Sequence, residues 1–139
     1  MVPDASLALQ QALFARLTAD GALTALIGPR LHDRRPEPGG YPQVVIGEAD
    51  VADDGSATRN GQRHLLTLHV WSRYRGRAEA KQILGLLAAA LHRQPPALGS
   101  GLACISLRVQ STAVLDEGDG VTSHGVLRLL AVTEPADAP

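Results

Sequence analysis

Residues 63–84, RHLLTLHVWSRYRGRAEAKQIL, change their apolar period half-way along. As far as Trp71 the alternation is twofold: Leu66, Leu68 and Val70 share one face of an extended chain, and Leu65, Thr67, His69 and Trp71 share the other. This predicts a strand with one core face and one mixed, partly covered face. From Arg77 to His92 the period becomes helical, with Ala80, Ile83, Leu84, Leu87 and Leu91 on one stripe about 24 Å long at about 1.5 Å per residue. Gly76 eases the turn between them, and Gln94-Pro95-Pro96 ends the helix. Arg73 and Glu79 are spaced to pair across that turn, an exposed contact of about 0 to 1 kcal/mol.

Upstream, QVVIGEADV (43–51) is a short β-branched run that suits a partner strand. Between the two strands Asp54-Gly55 and Asn60-Gly61 accept positive φ readily, so residues 50–62 are expected to form a hairpin with an extended polar tip. Before it, HDRRPEPGGYP (32–42) combines charge, Pro and Gly and reads as a loop. Asp4 to Ala19 reads as a helix burying Leu7, Leu9, Leu13, Phe14 and Leu17 and capped by Asp4 or Ser6, with one or two further turns over Ala22 to Ile27.

Downstream, LACISLRVQSTAVL (102–115) predicts a half-buried strand with Ile105, Leu107 and Val109 inward and Ser106, Arg108 and Gln110 outward. DEGDG (116–120) is its turn and VTSHGVLRLLAV (121–132) its antiparallel partner. The order helix, strand, strand, helix, strand, strand predicts an α+β fold: a mainly antiparallel sheet of about four strands, two helices packed on one face, and the polar hairpin. A single domain over 1–133 is expected, with a flexible tail over 134–139.

Composition agrees with a packed domain. The chain has 139 residues, 45% hydrophobic and 19% charged, but only four aromatic rings: Phe14, Tyr41, Trp71 and Tyr74. Its core must therefore come from Leu, Val, Ile and Ala. Thirteen Lys and Arg against 14 Asp and Glu remove the strongest electrostatic argument for gripping a phosphate backbone. The single Cys104 rules out an intrachain disulfide. The first residues lack the basic, uninterrupted apolar pattern of a signal peptide or span, so a cytoplasmic protein without a membrane partner is expected.

Candidate chemistry is sparse. His64 and His69 point to opposite faces of one strand, and His32, His92 and His124 show no paired spacing, so no metal ligand is predicted. The dipole of a helix C-terminus accounts for His92. Asp116, Glu117 and Asp119 lack the twelve-residue calcium pattern, and like Asp53 and Asp54 they suit a solvated turn. With no GxSxG elbow, no Walker loop and no sign of a base beside Cys104, the sequence offers no catalytic residue and no cofactor site. A protein that is not an enzyme is expected. The cluster Arg73, Tyr74, Arg75 and Arg77 beside Trp71 better suits a protein contact, because Trp, Tyr and Arg are the types enriched at interface hot spots.

In combination, LTLHVWSRYRGRAEAKQI (66–83), ALTALIGPRLHD (22–33), YPQVVIGE (41–48), ALHRQPPAL (90–98) and SHGVLRLLAV (123–132) closely resemble the tail-completion family of long-tailed bacteriophages, prophages and gene transfer agents, which includes tail terminators. The resemblance runs from about Leu7 to Val132. It implies an α+β subunit of a homo-oligomer, typically a hexameric ring, on the head-proximal end of the tail tube. Such a ring stops tube growth and contacts the tail tube protein and the head-completion or stopper proteins, and DNA passes through it without being read by sequence. The family gives no catalytic residue to carry over. On this reading the candidate subunit or tube contacts are His69, Trp71, Arg73, Tyr74, Arg75, Asp53, Asp54 and Asn60, and Trp71→Ala should harm the ring more than the monomer. A neck or head-tail connector and a small-ligand-binding α+β domain remain the alternatives.

Overall fold

The computed structural model describes residues 4–36, 39–99 and 101–136. Along these residues run α1 (Ser6–Thr18), α2 (Gly21–Ile27), β1 (Leu31–His32), β2 (Gln43–Asp53), β3 (Gln62–Ser72), α3 (Ala78–Leu91), β4 (Ala97–Gly99), β5 (Leu102–Asp116) and β6 (Ser123–Pro135). Six strands form one curled, mixed sheet in the order β1-β2-β3-β6-β5-β4. The α+β class holds; the expected four strands and two helices are too few. Strand β1 takes in His32, the first residue of the stretch expected to be loop, and pairs parallel to β2 through Leu31 and His32, while β4 pairs with Leu102 and Ala103. Both are too short to show a period of their own. Helix α2 is the predicted extra turn, with the Asp20 carboxylate capping it by accepting from the Leu23 N–H at 3.1 Å.

Strand β3 lies at the centre, paired along its length with β2 on one side and β6 on the other. Its two faces are those the alternation predicts. Leu66, Leu68 and Val70 join Val44, Ile46, Leu107, Leu127, Leu129 and Ala131 in one apolar layer. Against that layer pack Leu9, Leu13 and Leu17 of α1, Leu23 and Ile27 of α2, and the whole predicted stripe of α3. Each buried aliphatic side chain stabilises the fold by about 1.5 to 3 kcal/mol. Gly125 lets α3 sit close to β6, since a Cβ there would stand 3.1 Å from both Leu84 and Val70. Gly76 adopts φ +68° at the strand-to-helix turn.

Several local expectations are corrected. Leu7 and Phe14 are 62% and 40% exposed, because α1 buries only its i, i+4, i+8 row. Ala5 is the N-cap, and Asp4 instead accepts from the Ser6 N–H at 2.8 Å. Ile105 is the extra residue of a β-bulge between Cys104 and Ser106, so it turns outward at 50% exposure while Leu107 stays buried. Glu79 accepts from the Ser72 hydroxyl at 2.8 Å, and Arg73 turns instead to the Thr122 hydroxyl at 3.1 Å.

The 54–61 tip closes through Asp54 N–H to Gly61 O and Ser56 N–H to Arg59 O, and Arg59 pairs with Glu134 of β6. Residues 50–60 are all exposed, as expected of a polar tip beyond the packed body, and the Arg59–Glu134 pair tethers that tip to the end of β6. Likewise β6 continues through Glu134 and Pro135, which pair with Ala103 and Leu102, and Ala136 N–H donates to Gly101 O. The expected flexible tail over 134–139 thus starts two residues inside a strand; residues 137–139 lie outside the described residues.

Candidate assembly surface

The face of β3 turned away from the helices carries Thr67, His69 and Trp71, and on β6 the same face carries His124 and Val126. Trp71 stands directly opposite His124, the arrangement that brings cross-strand side chains into contact. Their rings stack with centroids 3.9 Å apart and planes 9° from parallel. The Arg35 guanidinium carbon lies 3.8 Å from the Trp71 centroid. Two groups this close to one ring must occupy its opposite faces, so the indole is sandwiched. Arg35 also donates to the Tyr41 hydroxyl at 2.8 Å, and Arg73 stands 4.4 Å over the Tyr41 ring. Arg30, donating to Pro42 O at 2.7 Å, anchors the end of this loop beside β1.

One step along the sheet, His69 Nδ1 meets His124 Nε2 at 2.7 Å and His69 Nε2 meets Glu48 Oε1 at 2.6 Å. Glu48 reaches His69 because β2 bulges between Ile46 and Ala49. Gly47 in that bulge is obligatory, since a Cβ would stand 2.8 Å from the His69 ring. At the far end Glu117 lies 3.7 Å from His124 Nδ1. With both imidazoles neutral a single proton order fits: His124 Nε2–H donates to His69 Nδ1, and His69 Nε2–H donates to Glu48. Burial pushes the His124 pKa down, helped by the neighbouring His69. A backbone hydrogen bond and the bond to His69 hold the Glu48 carboxyl below its ordinary value. The row Glu48–His69–His124–Glu117 thus fixes ring orientations across two strands.

The predicted contact residues separate into two groups. His69, Trp71, Arg73, Tyr74 and Arg75 gather where β3 turns into α3, with Tyr74 and Arg75 exposed. Asp53, Asp54 and Asn60 lie exposed at the hairpin, the opposite end of β3, as Gln43↔Trp71 and Asp53↔Gln62 mark the two ends of the β2–β3 pairing. Sequence reasoning missed His124, Glu48, Arg35 and Tyr41 as partners of His69 and Trp71. His124 is 55 residues from His69, and only the β3–β6 pairing could have revealed it. A surface groove of about 430 Å³ adjoins the β3–α3 turn, lined by Gly76 and Arg77 and the 116–123 turn, and one of about 540 Å³ lies between α3 and β5. No three His, Cys, Asp or Glu side chains among the described residues are placed to hold a metal ion. Burial pushes the Cys104 thiol up, and it donates to Ser106 O.

Comparison with known proteins bears on what this surface serves. The profile of a family described as Tail completion protein gp17 matches residues 11–134. The chain belongs to that family. Tail completion protein gp17 of Bacillus phage SPP1 is 29% identical over 89 residues, which cover 64% of this chain and 65% of that protein, so the match spans just under two thirds of the relative's length. A chain from the virion of a native gene transfer agent particle superposes with a TM-score of 0.82 at 28% identity, covering 91% of this chain and 94% of its own. The structure of bacteriophage SPP1 gp17 gives a TM-score of 0.58 at 26% identity, with 96% and 91% covered. The resemblance read from residues 7–132 is thereby shown at the level of the tail-completion family.

Proposed function

We propose that this protein is a tail terminator: a structural subunit that closes into a ring, typically hexameric in proteins of this kind, on the head-proximal end of a tail tube. The ring stops tube growth and presents a platform to the head-completion proteins. The observation that carries this reading is the likeness, over 91% of the chain, to a subunit of an assembled gene transfer agent particle. Nearly balanced charge, 13 basic against 14 acidic residues, suits a pore through which DNA passes without being held. The role needs no catalytic group: the His69–His124 row and the Arg35–Trp71 sandwich serve to rigidify one end of the sheet where Tyr74 and Arg75 are displayed. Assembly takes place in the cytoplasm before the protein becomes part of the particle.

Light scattering on the purified chain, alone and after co-expression with the tail tube protein of the same particle, tests this. A ring-sized mass in either sample, with tube protein bound, is the expected result. A monomer in both, with no bound tube protein, overturns it. A ring that ignores the tube and binds only the head-completion protein moves the role to the neck.

A further inference from the structure

Two of the sheet's strands run well past their outer partners. β1 covers β2 only at Val44 and Val45, so residues 47–53 have no outer partner strand among the described residues. β4 covers β5 only at Leu102 and Ala103. The end of α3 covers the next stretch, where Arg93 N–H donates to Leu107 O and Val109 N–H donates to His92 Nδ1. Residues 110–116 are left with an open edge. Unpaired N–H and C=O groups in a row are a template for another strand.

These two edges are complementary. The open stretch of β2 carries Glu48, Asp50 and Asp53 and no cation, so two copies of it repel each other. The open stretch of β5 borders the 540 Å³ groove, whose α3 wall carries Arg77 and Lys81 beside Gly85 and Ala88. Arg77 already pairs with Asp116, whereas Lys81 has no carboxylate partner among the described residues. Successive pairs β2–β3, β3–β6 and β6–β5 are all antiparallel, so β2 and β5 run in opposite directions. A second copy related by rotation therefore sets its β2 antiparallel to this β5, and the alternation continues unbroken.

We infer that the open edge of β2 in one copy pairs with the open edge of β5 in the next, with Ala49, Val51 and Asp53 facing the α3–β5 groove. This inference deepens the ring reading and rests on it. The junction keeps the helix-bearing face continuous: Val51, 39% exposed in the single chain, meets Gly85, with Ala49 toward Lys81 and Asp53 toward Ala88. It is heterologous, as a closed ring requires. It is also staggered. Val51 lies level with His64 of β3, whereas Val114 lies level through Gly125 with Val70, a six-residue offset of roughly 20 Å at about 3.4 Å per residue. A stagger of this kind tilts strands against the axis, the condition for closing a sheet on itself.

The test uses a Cys104→Ser chain carrying both Val51→Cys and Val114→Cys, oxidised and run on a non-reducing gel beside light scattering, with and without the tube protein. A ladder of cross-linked copies reaching the ring size, absent from either single-cysteine chain, is expected. Val51→Lys, which sets an unpaired cation into the groove beside Gly85 and Lys81, should weaken self-association at least about tenfold while leaving the single chain folded, since Val51 is exposed there. A ring-sized mass with only monomer on the gel and no response to Val51→Lys overturns the edge pairing and leaves the terminator reading standing. A monomer under all conditions overturns both.

Discussion

Replacing Trp71 by Ala removes the middle of the sandwich between Arg35 and His124. Full burial would set the loss at about 3 to 5 kcal/mol, but Trp71 is only half-buried, which brings the packing share to about 2 kcal/mol. The stacked and cation–π contacts carry the total to about 2 to 3 kcal/mol. A domain with about 5 to 15 kcal/mol of stability remains folded. At about 2.1 cal/mol/K per residue, a domain of 139 residues unfolds with about 290 cal/mol/K, so its Tm should fall by roughly 7 to 10 °C. Scanning calorimetry reads this directly. A double-mutant cycle with Arg35→Ala should give a coupling of about 0.5 to 1 kcal/mol. A loss below about 1 kcal/mol with zero coupling would refute the sandwich as a stabiliser of the single chain. Trp71 would then matter to the ring far more than to the single chain, the direction the family resemblance implied.

Acid should weaken the fold in a defined window. Burial lowers the pKa of His64 and of His124 from the ordinary 6.5, so the folded state binds fewer protons, and the stability they contribute is present above 6.5 and lost as pH falls through the folded values. Urea midpoints should drop between pH 7.5 and 5.5, and less so in His124→Phe, which keeps a ring on Trp71. Leu107→Ala should cost about 2 to 5 kcal/mol in urea unfolding, while Ile105→Ala, two residues away on the bulge, should stay within about 0.5 kcal/mol. Equal effects would disprove the bulge. Gly76→Ala meets no atom within 4 Å but must hold φ +68°, so a loss of about 1 kcal/mol is expected by the same assay.

Period alone located β3, α3 and both long hairpins, because long elements with one buried face repeat their pattern often enough to be read. The stripe Ala80, Ile83, Leu84, Leu87 and Leu91 is buried as spaced. Elements of two or three residues, β1 and β4, exist only because a neighbouring strand offers hydrogen bonds, and nothing local announces them. Bulges at 47–48 and 105 reverse the face of the residues beyond them, so a strict alternation misplaces Ile105 and hides why Glu48 reaches His69. The resemblance named the family, but neither it nor the spacing joined His69 to His124 or Arg35 to Trp71. Those contacts depend on which strands pair and where a Pro-rich loop lies.

The sandwiched indole is the chain's only tryptophan, and that gives it a spectroscopic use. Indole emission is quenched by a stacked imidazolium and is sensitive to a guanidinium on its other face. The fluorescence of the unlabelled protein therefore comes from one spot at the β3–α3 end of the sheet. It should dim as His124 takes up its proton and change again if a docking partner draws Arg35 away. An intensity trace can then follow events at that end of the subunit in real time, independently of the hairpin edge at the other.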